Sequence, residues 1–380
     1  MRFVSKKGKN IYKRKDGRWE GRYIKNYDLS GKIRYGYVYG KTFREAREKQ
    51  EKAQADLMNR PVAASHGKQN LTAFCEEWLL LNRNRVKKST YIKYRNTIQR
   101  YIIPHLGQCL PQFIDASLLE TFSHELLVNG ALQKGGGLSA KTVRDILAVL
   151  HAILKYIQTQ KGYLIPDFRM IYPKESKKEM RVLSKEEQNR LVRYLLNDMD
   201  DCKFGVLLAL MTGMRIREIC ALRWQNISLL NQTVQVGATM QRLQLANPSV
   251  QKTSVTIDDP KSLTSKRTIP LMPQTVELCQ KMGKHPPLAF VLTGQVGHFM
   301  EPRSLQYRFK KYTQECGLSD VNFHALRHTF ATRCVEVDFE IKSLSEILGH
   351  ASVQVTLDRY VHSSMELKRE NMNKLPAIGF

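Results

Sequence analysis

"NFHALRHTFATRC", residues 322–334, sets His324, Arg327 and His328 close together in a stretch that reads as a helix. Positions three apart share a helix face, so His324 and Arg327 can reach one target. Two His four apart could hold a metal. No Glu stands between them as a zinc-protease helix requires, so no metal is expected here. "LMTGMRIREICALRW" (210–224) carries the next arginine: Thr212-Gly213 should end one helix and Arg215 open the next. An Arg fork beside the free amides of a helix start suits a phosphate. "LGHASVQVTLDRYVH" (348–362) then places His350 at a glycine turn and Tyr360 ten residues later. Together with a lysine, these residue types suit phosphoryl transfer to a tyrosine without metal. Arginine forks neutralise the non-bridging oxygens, and a phenolic oxygen attacks. Lys or His protonates the leaving oxygen. No Gly-x4-Gly-Lys loop is present, so ATP is not implied.

The bulk numbers favour the same kind of substrate. With 380 residues, 42% of them apolar, the chain should form two or three domains. Its formal net charge is +26, from 61 Lys and Arg against 35 Asp and Glu, and a chain this basic most often meets nucleic acid. An anionic membrane is the rival partner, but no amphipathic anchor or lipidation site is found. No apolar run reaches membrane-span length, and the basic N-terminus has no apolar stretch behind it, so a cytoplasmic protein is expected. The seven Cys are scattered without a C-x-x-C pair, which argues for reduced thiols rather than a disulfide framework or a zinc site.

Residues 1–60 are the most basic part, with 18 Lys and Arg against 7 Asp and Glu. They read as three strands and a helix, with turns at Asp16-Gly17 and Ser30-Gly31, Thr42 as helix cap, and Glu45 completing a capping box. Arg14, Lys15, Arg18, Arg22, Lys25 and Arg34 make this sheet a candidate DNA-binding surface. Residues 59–70 are a linker by composition. Four helices follow to about Gly162: "TAFCEEWLLLN", one from Ser89 ending before Pro104, one from Asp115 to Gly130, and one from Ser139 to Gly162. Arg85, Lys87, Lys88, Lys93 and Arg95 cluster there, on a face that could track a phosphate backbone. A Pro- and Lys-rich stretch (166–184) marks the next boundary. Beyond it the pattern mixes helices, the first capped by Ser184 and Glu187, with strands "TVQVGATMQ", "KRTIPL" and "AFVLTG". The chain is thus multidomain and mainly α with small β-sheets. The expected divisions are 1–60, a helical bundle at 68–165, a mixed α/β domain at 175–365 and a tail at 366–380.

The order Arg, Lys, His-x-x-Arg, His, Tyr resembles the tyrosine recombinases, the phage-integrase family. "TGMRIREICAL" looks like the family's first Arg box, "HALRHTFAT" like its H-x-x-R box with the usual second His, and "LGHASVQVTLDRYVH" like the box with the nucleophile. The resemblance places the family's lysine on a β-hairpin before an Ile-Pro strand end. "DDPKSLTSKRTIPL" (258–271) fits, with Lys261 the counterpart and Lys266 the competitor. The N-terminal sheet and the long hairpin segment resemble the integrases of conjugative transposons of Gram-positive bacteria. Arg217 and Val355 depart from the family's usual residues at non-catalytic positions.

The resemblance implies a site-specific recombinase with an arm-binding sheet domain, a helical core-binding domain and a catalytic domain. Tyr360 is its nucleophile, and Arg215, Lys261, His324, Arg327 and His350 complete the catalytic set. Lys261 is the general acid, His324 assists removal of the Tyr360 proton, and Glu218 buttresses Arg215. No cofactor is implied. The implied partners are double-stranded DNA at core and arm sites, a homotetramer joined through the C-terminal tail, a small excision factor and a DNA-bending protein. The rivals are a type IB topoisomerase-like nicking-closing enzyme and a non-catalytic DNA-binding regulator.

Overall fold

The computed structural model describes residues 10–27, 33–58, 69–131, 135–163, 165–166, 170–175, 180–244, 253–258, 266–360 and 372–373. The chain divides into two compact units, Met1–Lys177 and Lys178–Phe380. The Ser30-Gly31 turn, Lys261 and all of the tail but 372–373 lie outside the described residues.

The first unit opens with an antiparallel sheet in the order β1 (Ile11–Lys13), β2 (Trp19–Tyr27), β3 (Ile33–Gly40). Asp16-Gly17 turns the first hairpin. The Asp16 carboxylate accepts from the Arg18 amide at 3.1 Å, and Gly17 takes φ +81°, which a side chain would resist. Helix α1 (Phe43–Met58) packs on one face of the sheet. A Cβ on Gly40 would fall 2.5 Å from the Ala46 amide nitrogen, so glycine there lets the helix close down. Thr42 caps α1 through the Glu45 amide at 3.1 Å. The Glu45 carboxylate answers the Lys41 amide at 2.8 Å, one residue before the expected partner.

Strand alternation sends Tyr35, Tyr37 and Tyr39 to the face away from α1. The register sets them opposite Ile24, Arg22 and Glu20. Arg22 stacks 3.3 Å over the Tyr35 ring, and Tyr37 is half exposed.

The helical part of this unit comprises α2 (Leu71–Asn82), α3 (Lys88–Thr97), α4 (Ile103–Leu106), α5 (Ala116–Asn129) and α6 (Ala140–Lys161). On α6, Val143, Ile146, Leu147, Leu150, Ile153, Leu154 and Ile157 are buried, the spacing of one helix face. Asp115 and Ser139 cap their helices, and Gly162 ends α6 at φ +69°. The expected break before Pro104 is not there. The wide π-turn Ile98–Ile102 absorbs the amide that proline lacks, the Ile103 N–H reaches back to the Ile98 carbonyl, and the helical path continues through Pro104 into α4.

The second unit contains α7 (Lys185–Leu196), α8 (Asp201–Thr212) and the single turn α9 (Ile216–Ile219). Next come β4 (Ile227–Ser228), β5 (Thr233–Val236), β6 (Thr239–Gln244), β7 (Thr253–Asp258) and β8 (Arg267–Pro270). Sheet order is β4-β5-β8, with β6-β7 a separate antiparallel hairpin. Helices α10 (Pro273–Lys281), α11 (Pro302–Glu315), α12 (His324–Glu336), α13 (Ile341–Leu348) and α14 (Val353–Tyr360) complete it. Helix α8 is buried on nearly every side, which makes it the spine of the core. The Ser184–Glu187 capping box forms. "AFVLTG" is not a strand. Its apolar residues Ala289 to Leu292 are buried in a turn, with one bridge from Phe290 to Arg223. A short apolar run reports burial without fixing the backbone that delivers it.

Phe122 is fully buried, with the His105 ring 5.4 Å away. Phe122→Ala should cost about 3–5 kcal/mol and lower the urea midpoint of unfolding accordingly. An unchanged midpoint would mean that this core is looser than described.

Candidate active site

The site grows from the ends of three helices. Helix α8 stops at Gly213, held at φ +65°. Helix α13 stops at Gly349, at φ +63°. These two ends leave carbonyls that α8 and α13 cannot use themselves. Arg327, on α12, takes both: its Nη1 donates to the Gly213 carbonyl at 2.8 Å and its Nη2 to that of Leu348 at 2.6 Å. Arg327 is 2% exposed. Burial, and then the charge of Arg215, lower its pKa to about 9.

Arg215 precedes α9. Its Nη2 donates to the Gly349 carbonyl at 3.0 Å and its Nη1 to Glu218 Oε1 at 2.9 Å. The Arg215 amide also donates to Glu218 Oε2, at 2.9 Å. Glu218 is 2% exposed. Burial alone would raise its pKa, but Arg267 and Arg215 outweigh this and hold it below the usual carboxylate range. Arg267, at the start of β8, donates Nη1 and Nη2 to Glu218 at 3.2 and 2.9 Å and Nε to the Ile347 carbonyl. Glu218 therefore braces two arginines, not one.

His350 follows the α13 stop. Its Nδ1 lies 2.8 Å from the Thr356 hydroxyl, while its buried Nε2 meets no hydrogen-bond partner among the described residues. Its ring stacks parallel to that of Tyr360, with centroids 6.3 Å apart. Burial, then Arg327 and Arg215, push its pKa down to about 3. Tyr360 ends α14 and is 7% exposed. Burial raises its pKa, and Arg327 and Arg359 oppose that rise. The Tyr360 hydroxyl lies 2.9 Å from His328 Nδ1. His328 is held down at about 4 by burial, then by His324, Arg359 and Arg327. His324 is exposed, and its ring meets that of His328 edge-on at 4.5 Å. Partial desolvation, then Arg327 and Arg215, lower its pKa.

Arg215, His324, Arg327, His350 and Tyr360 thus converge with Glu218. Sequence reading missed Arg267, the Thr356 support and the His328 contact. Arg267 stands directly before Thr268-Ile269-Pro270, next to Lys266, in a stretch whose family pattern points to a lysine. Among the described residues, no group of three or more His, Cys, Asp or Glu could hold a metal ion. The arrangement is a cationic cluster beside a buried imidazole nitrogen that meets no partner among the described residues and a buried hydroxyl, groups suited to a phosphate.

The other basic residues differ in their surroundings. Arg14 pairs with Glu20, Arg18 with Asp16 and Lys93 with Asp145. Lys15, Arg34, Arg85, Lys87 and Lys88 are exposed, and Arg95 is half-buried. Lys25 lies within β2.

A model of the phage integrase family matches residues 181–366, and a model of the phage integrase N-terminal SAM-like domain matches residues 70–125. A XerC-like tyrosine recombinase of Caldanaerobacter subterraneus subsp. tengcongensis is 25% identical over 360 residues, covering 88% of this chain and 90% of its own. The integrase of Staphylococcus phage L54a is 23% identical, covering 81% and 93%. Among solved structures, the Tn1549 transposon integrase bound to circular-intermediate DNA superposes with a TM-score of 0.66 at 21% identity, over 81% of this chain and 100% of that one. A lambda integrase dimer on a COC′ core site gives 0.61 at 17% identity, over 99% of each. These structures share the fold.

The buried histidines tie stability to pH. Unfolded, His328 and His350 protonate near pH ~6.5. Folded, they resist protonation until about 4 and about 3. The unfolded chain therefore binds more protons between these limits, and stability is lost as pH falls through that window. Urea midpoints should drop from pH ~7 to ~4.5, and His350→Gln should make the drop shallower. An equally steep drop in the variant would remove His350 from this account.

Proposed function

The chain belongs to the phage integrase family of tyrosine recombinases, and we propose that it cuts and rejoins DNA at specific sites through a 3′-phosphotyrosyl bond to Tyr360. The observation that carries this reading is the convergence on one pocket of two braced guanidiniums, a partnerless His350 Nε2 and the Tyr360 hydroxyl. In this reading the scissile phosphate fills the pocket. Arg215 and Arg327 bind its non-bridging oxygens, and His350 Nε2 donates to one of them. The charge that develops in the transition state meets donors already fixed by backbone carbonyls and by Glu218, so little reorganisation is needed. Tyr360 attacks, and the 5′ oxygen leaves with a proton from the hairpin lysine, Lys261. A partner strand's 5′-OH reverses the step. The bond energy is kept in the phosphotyrosine, so neither cofactor nor metal is required.

The same reading assigns the exposed Tyr and Arg face of the N-terminal sheet to arm-site DNA, and the α2–α6 helices to the core site, with divisions at 1–60, 68–165 and 175–365. It places the protein in the cytoplasm as a homotetramer on DNA joined by its C-terminal tail, with a small excision factor and a DNA-bending protein as further partners. Integration and excision of a mobile element akin to a conjugative transposon is the biological task that fits. No helix among the described residues is long and apolar enough to cross a membrane. A non-catalytic regulator would have little reason to keep the whole braced site.

A suicide duplex carrying the core site should trap the chain as a slow-migrating band on a denaturing gel. Tyr360→Phe should bind the duplex and form no such band. A band in that variant would show that another residue is the nucleophile.

A duplex with sulfur in place of the scissile 5′ oxygen has a leaving group that needs no acid. Lys261→Ala should cleave the ordinary duplex ~10²–10⁴-fold slowly and the sulfur duplex near the wild-type rate. Arg215→Ala and Arg327→Ala should stay slow on both. Rescue of Lys266→Ala instead would move the acid five residues along the hairpin.

A further inference from the structure

Taking Tyr360 as the nucleophile, the attack also needs somewhere for the phenolic proton to go. The Tyr360 hydroxyl lies 2.9 Å from His328 Nδ1, and its other side-chain hydrogen-bond partner, Arg327, is a donor that cannot take a proton. Both residues are 7% exposed, and their rings lie 5.7 Å apart at 49°. His350 is turned to another task, with Nδ1 on Thr356. His324, four residues before His328, is exposed and meets the His328 ring edge-on. We infer that His328 is a catalytic residue of this chain, whose Nδ1 accepts the Tyr360 proton as the phenolic oxygen attacks phosphorus. This rests on the reading of Tyr360 given above.

The step balances. The Tyr360 O–H bond breaks and its proton goes to the Nδ1 lone pair. The phenolic oxygen bonds to phosphorus, the P–O5′ bond breaks, and the 5′ oxygen takes a proton from the general acid. In rejoining, the imidazolium returns its proton to the departing Tyr360 oxygen. Acceptance at Nδ1 requires the tautomer with its proton on Nε2.

The groups facing His328 are His324 and Arg327 on α12 and Arg359 and Tyr360 on α14. Burial, then His324, Arg359 and Arg327, lower the His328 pKa to about 4, which favours the neutral imidazole at ordinary pH. A phosphodiester entering among the guanidiniums offsets their charge and raises the basicity of His328 at the moment of attack. Before DNA binds, the same bond keeps the Tyr360 hydroxyl in place.

The test uses the full-length chain and the suicide duplex in single turnover, from about pH 6 to 9. In His328→Asn the amide oxygen can accept the Tyr360 hydrogen bond but cannot take the proton. This variant should bind the duplex as the wild type does, form the covalent complex ~10²-fold more slowly or worse, and gain on the wild type as pH rises. Fluorotyrosine placed at position 360, a more acidic phenol, should speed His328→Asn more than it speeds the wild type. His324→Asn should not gain on the wild type as pH rises. A wild-type rate and profile in His328→Asn would overturn the assignment, as would transfer of the loss to His324→Asn. A trapped band from Tyr360→Phe would instead sink the underlying reading. If His328→Asn does not fold, nitrogen NMR decides on proteins that do: the His328 Nδ1 resonance must move between wild type and Tyr360→Phe, and a fixed resonance overturns the contact.

Discussion

A guanidinium buried at 2% exposure is a costly thing to build, and the second unit is arranged around the one at Arg327. The cost is offset by carbonyls at the C-terminal ends of α8 and α13, where the helix dipoles put partial negative charge. Arg327 on α12 therefore ties three helices together. The two glycine stops matter because each exposes its carbonyls at the right place. A Cβ on Gly213 would come within 2.6 Å of Phe330 and 2.9 Å of Leu348, besides resisting the positive φ. Stability and site geometry thus depend on the same few atoms.

Charge is balanced unequally around this point. Glu218 is the buried carboxylate shared by Arg215 and Arg267, and it fixes their forks without neutralising Arg327. The depressed pKa values of His324, His328 and His350 share one cause beyond burial, the charge of the nearby guanidiniums Arg327 and Arg359. A site whose histidines are kept neutral by burial and by cationic repulsion suits an anion, such as the phosphodiester of the proposed reaction.

Much of this was legible in the sequence because the relevant signals are local. Thr212-Gly213 and Ser184 to Glu187 mark helix ends by rules that act over a few residues, and the residue types of the three boxes carry the chemistry. What could not be read was set by contacts across long stretches of chain. Arg267 meets Glu218 only because β8 is brought beside α9. The His328 contact depends on how α12 crosses α14. Pro104 looked like a stop because proline breaks an ideal helix, but a π-turn upstream removes the conflict. "AFVLTG" looked like a strand because buried turns and buried strands share an apolar composition.

The buried Nε2 of His350, which meets no partner among the described residues, has a consequence for the energy of the whole fold. A buried polar atom without a partner costs about 1–3 kcal/mol. An anion held by Arg215 and Arg327 would give that atom a partner and offset the repulsion among the arginines. Folding and occupancy are therefore thermodynamically linked, and any ligand that binds only the folded chain shifts its unfolding equilibrium by mass action. A ligand that fills this site would then stabilise the fold as well as meet the chemistry.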